Sequence, residues 1–402
     1  MSDTSVRCIL VNFRSPWDML ERCLDSLYGD SENPGCMVTL VDNASGDGGI
    51  DQVRKRFPQV DIIELDANLG FAAAVNRGLA GASERYILML NTDAVLAPEA
   101  LEKMVTALAK APGDVAGVAP KMMSSSHEGV IDAVGTVMPP TGASFNRGIG
   151  QCDLGQYDFS EEVAGVCFGA ALLKRSLFEP ERVGPLYEGY FLYFEDSDWC
   201  MRATSQGFRF LTVPEAIVHH MHSGVTRRES LPFKYRLIEL NTLKIVVRNF
   251  GSPRLAARIV AARSARLLAR TLIRRKFVAA NLSTLWSLAL SLPRLLKERR
   301  ALARRRIVPD DRVFRLAAGE DAYFDTVEYR PHHTIDALID TYQHLLDRGP
   351  DPRYGKLLDA LYRLRREASG GLRPVLDPET RSLFAAEPEC VRSLLAMAVS
   401  EE

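Results

Sequence analysis

Short apolar runs alternate with helical segments through the first half of the chain. Strands that alternate with helices at this spacing favour an α/β fold with a mainly parallel sheet flanked by helices. Such a sheet binds ligands at the carboxyl ends of its strands, where the polar motifs of this chain also fall. The strands are expected at residues 6–12, 37–42, 60–65 and 86–90, and the helices at 16–28, 48–56, 70–82 and 98–110.

The pattern changes twice further along the chain. Residues 139–160 contain several glycines and few large apolar residues, and they predict a surface loop. Compact structure resumes with a helix at 195–206 and strands at 208–213 and 216–219. From about residue 231 the periodicity is helical to the end. We expect an α/β domain over residues 1–230, a basic helical region over 231–306 and a C-terminal helical region over 307–402.

Charge is distributed unevenly along a chain whose formal net charge is only -1. Residues 252–306 carry 15 Lys and Arg residues and one acid, Glu298. Four of these arginines share one face of a predicted helix, which favours binding to an anionic membrane surface. The alternative is a basic face packed against the acidic remainder of the chain. Nucleic acid is not expected, because no aromatic residues interleave with the basic ones. The four arginines are Arg263, Arg266, Arg270 and Arg274.

No segment is predicted to cross a membrane or to direct export. The apolar run Phe277–Pro293 is uncharged but includes several polar residues, so we expect a buried or interfacial helix. The N-terminus lacks a basic segment followed by a long apolar one. None of the seven cysteines forms a C-x-x-C pair, which is typical of free thiols in a reducing cytoplasm.

Two polar clusters follow predicted strands. In Asp42–Gly46 the carboxylate can accept hydrogen bonds from a nucleobase or ribose, although this sequence also forms ordinary turns. In Asn91–Asp93 a lone acid ends an apolar strand. Such an acid can hold Mg²⁺ or Mn²⁺ beside a diphosphate. The alternative is a cap or turn residue ahead of Pro98.

A third cluster, Glu195–Asp198, follows an aromatic run and opens a predicted helix. The helix dipole favours acids in a first turn. The functional alternative is a carboxylate that takes a proton from an acceptor hydroxyl. Downstream, His219, His220 and His222 lie within four residues at a strand end. One of these imidazoles could reach a metal beside Asp93.

In combination these residues resemble the family 2 glycosyltransferases with a GT-A fold, in particular the rhamnosyltransferase-like and galactofuranosyltransferase-like members. Each motif is loose, but the ordered set is specific and spans about residues 6–224. The matching segments are Val11–Phe13, Val41–Gly48, Asn68–Gly78, Leu90–Asp93, Phe168–Ala171, Gly189–Arg202, Gly207 and Val218-His219.

The resemblance implies roles for individual residues. Asp196 would be the catalytic base, with Glu195 beside it to orient the acceptor. Asp93 and His219 would hold Mg²⁺ or Mn²⁺, and Asn91 stands where many members have another acid. The acceptor contacts would be Glu195, Asp198 and His222. The nucleotide-sugar donor would be bound by Asn12, Asp42, Asn43, Asn68, Gly70, Asn76, Arg77, Asn91, Thr92, Asp93 and Gly169.

The implied reaction is an inverting, metal-dependent transfer in cell-surface polysaccharide assembly. We expect a sugar, first of all rhamnose from dTDP-rhamnose, to move to a hydroxyl of a glycan or lipid-linked glycan acceptor. The enzyme would be cytoplasmic and peripheral on the inner face of the membrane, and its C-terminal helices could form a homo-oligomer. Two alternatives stay open: a soluble transferase that uses a UDP-sugar on a protein or free glycan, and an inactive nucleotide-sugar-binding module.

Overall fold

A computed structural model describes residues 5–28, 36–221, 230–316, 331–349, 351–368 and 373–400 of the chain. An α/β domain comes first and helices follow it. The strands are β1 (Val6–Asn12), β2 (Cys36–Asp42), β3 (Asp61–Glu64), β4 (Tyr86–Asn91), β5 (Ala94–Leu96), β6 (Val115–Ser124), β7 (Ile131–Ala133), β8 (Thr136–Val137), β9 (Phe145–Asn146), β10 (Glu162–Val163), β11 (Ala170–Lys174) and β12 (Arg209–His220). The helices of this domain are α1 (Trp17–Tyr28), α2 (Gly49–Arg56), α3 (Phe71–Leu79), α4 (Ala100–Lys110) and α5 (Glu195–Ser205).

Ten strands form one mixed sheet in the order β10-β12-β6-β11-β4-β1-β2-β3, with β5 beside β12 and β7 beside β6. The part formed by β4, β1, β2 and β3 is parallel, whereas β11 runs antiparallel between β4 and β6. Asn12 pairs with Asp42, and Val11 pairs with Asn91. The carboxyl ends of β1, β2 and β4 therefore meet at one edge of the sheet.

Helices cover both faces of the sheet, which is why its central strands are near-continuous apolar runs. On one face, Leu10, Leu40 and Leu88 pack with buried residues of α1 and α4 such as Leu24 and Met104. On the other face, Ile9, Ile87 and Met89 pack with residues of α3 and α5 that include Val75 and Trp199. The expected fold class, a mainly parallel sheet flanked by helices and followed by an all-helical region, is confirmed.

Three long helices, α6 (Leu231–Asn249), α7 (Pro253–Ile273) and α8 (Val278–Ala303), pack against one another as a helical bundle. Leu243, Leu267 and Leu288 lie in its core together with Tyr187 and Tyr190. The bundle is therefore seated on the segment of the α/β domain that leads directly into α5.

Part of the basic face expected on α7 lies inside this bundle. Arg263 Nη1 is 2.8 Å from a carboxylate oxygen of Glu239, and Arg270 Nη1 donates to the Tyr235 hydroxyl at 3.0 Å. The opposite side of α7 exposes Leu272. For these two arginines the alternative interpretation, a basic face packed against acidic residues, describes the structure.

The C-terminal helices are α9 (Asp311–Arg315), α10 (Pro331–Arg348), α11 (Pro352–Glu367), α12 (Pro378–Phe384) and α13 (Glu389–Ala398). Helices α10 to α13 share a core around Leu338, Leu361 and Leu395, which also includes Val130 and Cys152 of the α/β domain. The backbone N–H of Cys152 donates to Thr341 Oγ1 at 3.2 Å. Throughout the described segments, no helix combines the length and the hydropathy that a bilayer crossing requires.

The sequence pattern misses most of the sheet between residues 115 and 174. It predicts none of the strands from β6 to β11, and the expected loop at 139–160 contains β9, which pairs with β8. The two strands expected at 208–213 and 216–219 form a single strand, β12, with a register shift between Val213 and Ile217.

Candidate active site

The ends of β1 and β2 form a rigid polar turn. Asn12 Nδ2 donates to Asp42 Oδ1 at 2.8 Å, and the backbone N–H of Ser45 donates to Asp42 Oδ2 at 3.1 Å. Ala44 adopts a positive φ of 60° within the turn. Because Asp42 is buried and both of its oxygens accept hydrogen bonds, its orientation is fixed without a ligand.

Asn43 and Asn68 join a second loop to this turn. Asn43 Nδ2 donates to Asn68 Oδ1 at 2.9 Å, and Asn43 Oδ1 accepts from the Leu69 N–H at 2.9 Å. Gly70 follows with a φ of 84°, and a Cβ there would lie 2.9 Å from the carbonyl carbon of Phe191. Only glycine permits this approach, which holds the loop against the segment ahead of α5.

Asn76 and Arg77, expected to bind the nucleotide, make different contacts. Asn76 Nδ2 donates to the Leu186 carbonyl at 2.9 Å, and Asn76 Oδ1 accepts from the Leu186 N–H at 3.0 Å. Arg77 lies 3.6 Å from Glu188 at the surface. Both side chains therefore hold the segment at residues 186–188, and the donor contact expected of them stays a prediction.

The end of β4 is packed closely on two sides. The Asn91 N–H donates to the Gly169 carbonyl at 2.9 Å, and the hydroxyls of Thr92 and Ser15 are 2.7 Å apart. A Cβ on Gly169 would lie 3.0 Å from Met122 Cε. This packing fixes the direction in which the chain continues into Asp93.

Asp93, His220 and Asp132 form a buried carboxylate–imidazole–carboxylate chain. His220 Nε2 is 3.2 Å from Asp93 Oδ1, and His220 Nδ1 is 2.8 Å from Asp132 Oδ2. Burial alone would lower the pKa of His220, but its hydrogen bonds to Asp132 and Asp93 outweigh burial and raise the pKa to about 10. The ring is thus held at both nitrogens.

The histidine beside Asp93 is not the one expected. Successive side chains of a strand point to opposite faces. In β12 His220 is buried and His219 is exposed, so the structure brings His220 rather than His219 to Asp93. His222, expected at the acceptor, lies outside the described residues.

Asp93 and His220 fit a divalent ion that takes its other ligands from a diphosphate. In the described parts of the chain, no three His, Cys, Asp or Glu side chains converge as a complete metal site. Mg²⁺ usually binds proteins through one or two carboxylates together with substrate phosphates. A metal-binding histidine commonly donates its other ring N–H to a carboxylate, as His220 can to Asp132.

Glu195 and Asp196 lie in the first turn of α5 beside Phe168. Asp196 Oδ1 accepts from the Ser197 N–H at 2.6 Å, and Asp196 Oδ2 accepts from the Phe168 N–H at 3.5 Å. Glu195 is buried, and its Oε2 has no hydrogen-bond partner among the described residues. A buried polar atom without a partner is costly, so this oxygen is a candidate contact for a bound ligand.

Burial raises the pKa of both carboxyl groups. Burial and the neighbouring charge of Asp196 raise the pKa of Glu195 to about 8. Burial also raises the pKa of Asp196, against the hydrogen bonds from Ser197 and Phe168. Within the pair the proton therefore favours Glu195 over Asp196, which accepts hydrogen bonds from two N–H groups.

Asp198, expected at the acceptor, is instead a fully buried structural anion. It accepts from Arg202 Nε at 2.9 Å and from Asn249 Nδ2 at 2.7 Å, and it also pairs with Arg248. Burial would raise the pKa of Asp198, but Arg248 and Arg202 hold it below its usual range. Partners on α5 and α6 satisfy this carboxylate within the described residues, and its expected acceptor contact stays a prediction.

Two residues that the sequence did not indicate complete the site. Asp132 lies on β7, and a lone acid inside an apolar strand was the signal that could have identified it. Cys167 is the other: burial and the charges of Asp196, Asp132 and Glu195 raise the pKa of its thiol well above the usual value. The Cys167 thiol thus lies near Asp132, which binds His220, and also near Glu195 and Asp196.

Relatives of this chain are glycosyltransferases. The N-acetylglucosaminyl-diphospho-decaprenol L-rhamnosyltransferases of two Mycobacterium tuberculosis strains are each 29% identical over 253 residues, which covers 56% of this chain and 79% of each relative. The amylovoran biosynthesis glycosyltransferase AmsE of Erwinia amylovora is 30% identical over 105 residues, which covers 25% of this chain and 39% of that protein.

Solved structures with a similar arrangement share little sequence with this chain. GalNAc-T7 with UDP, GalNAc and Mn²⁺ has a TM-score of 0.46 and 13% identity, covering 61% of this chain and 50% of that chain. The mannosyltransferase PcManGT from Pyrobaculum calidifontis, in complex with GDP-Man and Mn²⁺, has a TM-score of 0.42 and 19% identity, covering 75% and 85%.

One family model matches the first part of the chain directly. Residues 8–180 match the model described as glycosyl transferase family 2. This segment holds Asp42, Asp93 and Asp132, and the L-rhamnosyltransferases match over a longer stretch. Residues 8–180 are therefore similar to the family 2 glycosyl transferases, and the chain is similar to L-rhamnosyltransferases over a longer stretch.

Proposed function

We propose that the chain is a metal-dependent, inverting glycosyltransferase that moves a sugar from a nucleotide donor to an acceptor hydroxyl. One observation carries this proposal: the Asp93–His220 pair and the Glu195–Asp196 pair lie at the same edge of the sheet. Asp196 accepts from the Phe168 N–H, and the next residue, Gly169, accepts from the N–H of Asn91 at the end of β4. The reaction needs one group of residues at the departing diphosphate and another at the attacking hydroxyl.

Asp196 is positioned to act as the base. Its carboxylate takes the proton of the acceptor hydroxyl as that oxygen bonds to the anomeric carbon. The bond from the anomeric carbon to the diphosphate breaks, and the nucleoside diphosphate leaves with the electron pair. A single displacement inverts the anomeric centre. The raised pKa of Asp196 strengthens it as a base, and protonated Glu195 can donate a hydrogen bond to the acceptor.

Asp93 and His220 would hold Mg²⁺ or Mn²⁺, which supplies positive charge to the leaving diphosphate. Asp132 keeps Nδ1 of His220 occupied and leaves Nε2 directed at Asp93. The turn at Asp42 and the loop at Asn68–Gly70 would bind the nucleoside. Their hydrogen bonds set both loops before the donor arrives.

The similar L-rhamnosyltransferases favour rhamnose as the transferred sugar and a lipid-linked glycan diphosphate as the acceptor. We propose dTDP-rhamnose as the first donor to test. A UDP-sugar donor with a protein or free glycan acceptor is the competing outcome. With such an acceptor the enzyme would act in the cytoplasm, peripheral on the inner face of the cytoplasmic membrane. Helices α10 to α13 are the candidate surface for a homo-oligomer.

A thermal-shift screen with dTDP-rhamnose, UDP-sugars and GDP-sugars, each with and without Mn²⁺ or Mg²⁺, tests the donor site. A ligand at about 100 times its Kd stabilises by ~2.7 kcal/mol. We expect a metal-dependent shift that Asp93→Ala removes and that Asp196→Asn keeps, although Asp196→Asn should not transfer sugar. Anomeric analysis of the product by NMR tests inversion. A shift that is equal in Asp93→Ala, or transfer by Asp196→Asn, would contradict these roles.

A further inference from the structure

An apolar row that no described part of the chain covers runs along α8. Leu282, Trp286 and Leu290, the apolar row, are 50%, 67% and 66% exposed. Their spacing of four residues places them on one side of the helix. Leu288 and Leu295 of the same helix are buried in the bundle. Helix α8 therefore has two apolar sides, and the bundle covers only one of them.

The turn between α7 and α8 extends this surface. Leu272 and Ile273 end α7 and are 87% and 79% exposed. Arg274, Arg275 and Lys276 follow at once and are also exposed, so residues 272–276 form a turn cluster of apolar and basic side chains. Leu282 lies about one helical turn into α8, which places the row next to this cluster.

The charge around these side chains has one sign. Glu298 is the single acid of residues 252–306, and it accepts hydrogen bonds from Arg248 and Arg294 at 2.9 Å each. Lys297, three helical turns after Trp286, is exposed on the same side of α8 as the apolar row. An anionic surface would therefore meet basic groups and no unpaired acid along α7 and α8.

The row is suited to lying at a membrane surface rather than crossing it. Within the described segments no helix is long and apolar enough to span a bilayer, and α8 carries Pro293 within it. Tryptophan is enriched at the boundary between lipid and water. Helices with one apolar side and flanking lysines and arginines bind in the plane of that boundary.

We propose that the apolar row and the turn cluster insert into the interfacial layer of an anionic lipid membrane, where the basic groups bind lipid phosphates. This surface differs from the basic face expected on α7, because two of its arginines bind within the bundle. The inference deepens the proposed function and rests on it only for the identity of the lipid-linked acceptor.

The proposed surface is coupled to the acceptor end of the site through the bundle. The buried side of α8 shares its core with Tyr187 and Tyr190, which precede Glu195 in the chain. The Arg294 guanidinium lies 5.4 Å from the centre of the Tyr187 ring. A membrane-bound α8 would therefore hold the start of α5 close to lipid.

Flotation of the full chain with vesicles tests the surface directly. We expect the wild type to float with phosphatidylglycerol vesicles and not with phosphatidylcholine vesicles, and 1 M salt to weaken the binding. The double substitution Trp286→Ser and Leu290→Ser should lower the bound fraction roughly tenfold. Phe159→Ser, which alters another exposed apolar residue on the α/β domain, is the matched control and should float like the wild type.

Fluorescence provides a second readout that needs no loss of binding. Of the three tryptophans, Trp199 is buried, Trp17 is partly buried and Trp286 is exposed. Phosphatidylglycerol vesicles should shift the emission of the wild type to shorter wavelength, and brominated acyl chains should quench it. Trp286→Phe should remove both effects while the protein still floats.

Three results would overturn the inference: flotation of the double variant at the wild-type level, equal binding of the wild type to phosphatidylcholine, or no quenching of Trp286. Dimers in sedimentation velocity that the double substitution dissociates would show that the row binds a second copy instead.

Transfer to a short-chain, water-soluble acceptor separates the two proposals. If the wild type floats but does not transfer sugar to this acceptor, only the proposed function is contradicted. If the wild type transfers sugar but does not float, only the membrane surface is contradicted.

Discussion

Glu195 and Asp196 are adjacent carboxyl groups that are both withdrawn from water. Asp196 accepts hydrogen bonds from the N–H groups of Ser197 and Phe168, whereas Glu195 Oε2 has no partner among the described residues. Ionising both would bring two negative charges together in a medium of low polarity. The negative charge therefore resides on Asp196 and the proton on Glu195, which separates a base from a hydrogen-bond donor.

Glu195→Gln should become more stable than the wild type as pH rises. The folded-state pKa of Glu195, about 8, lies above its ordinary value of 4.5. Its contribution to the free energy of unfolding is fully present below pH 4.5 and is lost as pH rises towards 8, by at most ~1.4 kcal/mol per pH unit. Glutamine stays neutral. Calorimetry should show a Tm difference that grows from pH 5 to 8, and identical pH profiles would refute the assignment.

Asp132 should control metal affinity without binding the metal. It holds Nδ1 of His220, and loss of such a partner typically weakens metal binding by about 10–100-fold. Electron paramagnetic resonance of free Mn²⁺, with dTDP present, measures this for Asp132→Asn. His220→Ala should remove the site, and His219→Ala is the matched control. Loss of Mn²⁺ in His219→Ala but not in His220→Ala would restore the original expectation.

At the level of secondary-structure elements, buried charges connect helix α5 to the bundle. Asp198 on α5 pairs with Arg248 on α6, and Arg248 Nε also donates to Glu298 on α8 at 2.9 Å. The Arg248 guanidinium lies 4.2 Å from the centre of the Tyr187 ring. One side chain thus connects two helices of the bundle to the first turns of α5.

Arg248→Met should destabilise the protein and displace Asp196. Removing one partner of a buried ion pair usually costs about 3–5 kcal/mol, and Arg202 should keep the loss near the lower end. Arg294→Met is the control, because Arg294 is exposed and pairs with the same Glu298, which predicts a change below ~1 kcal/mol. Chemical denaturation gives both values, and a fall in kcat at unchanged donor KM would indicate displacement of the base. Equal losses in the two variants would argue against the network.

The sequence predicts the strands and helices in which apolar residues recur at the strand or helix period without interruption. β1 and the helix at α1 meet that condition, and their predicted positions agree with the structure. β6 and β11 do not meet it. Gly117 and Pro120 interrupt the pattern of β6, and pairing with distant strands decides the conformation of both. The register shift in β12 also changes which side chain faces inward. The residues alone therefore indicated a histidine near Asp93 without selecting one, and the family resemblance implied His219.

On the scale of the whole molecule, the C-terminal helices support the end of the candidate site at Asp132 and His220. Their core includes Val130, which immediately precedes β7 and Asp132. Residues this far apart in sequence show no pattern that would predict the contact, because helical periodicity identifies an apolar face but not its partner. The contact between Cys152 and Cys390 lies at the same junction and offers a chemical probe of it.

Cys390 should react with alkylating reagents at neutral pH as long as the C-terminal helices are docked. A hydrogen bond with Cys152 lowers the pKa of Cys390 to about 7, against the effect of burial, and Cys390 also lies in the first turn of α13. Cys152→Ala removes the donor, so the pKa should return towards ~8.5. The lower thiolate fraction, partly offset by greater nucleophilicity, should slow labelling at pH 7 about threefold and move the midpoint of the pH profile upward. Peptide mapping by mass spectrometry follows Cys390 separately from the other cysteines. A midpoint that Cys152→Ala leaves unchanged would mean that the two thiols are not in contact and that α13 does not pack beside Cys152 in solution.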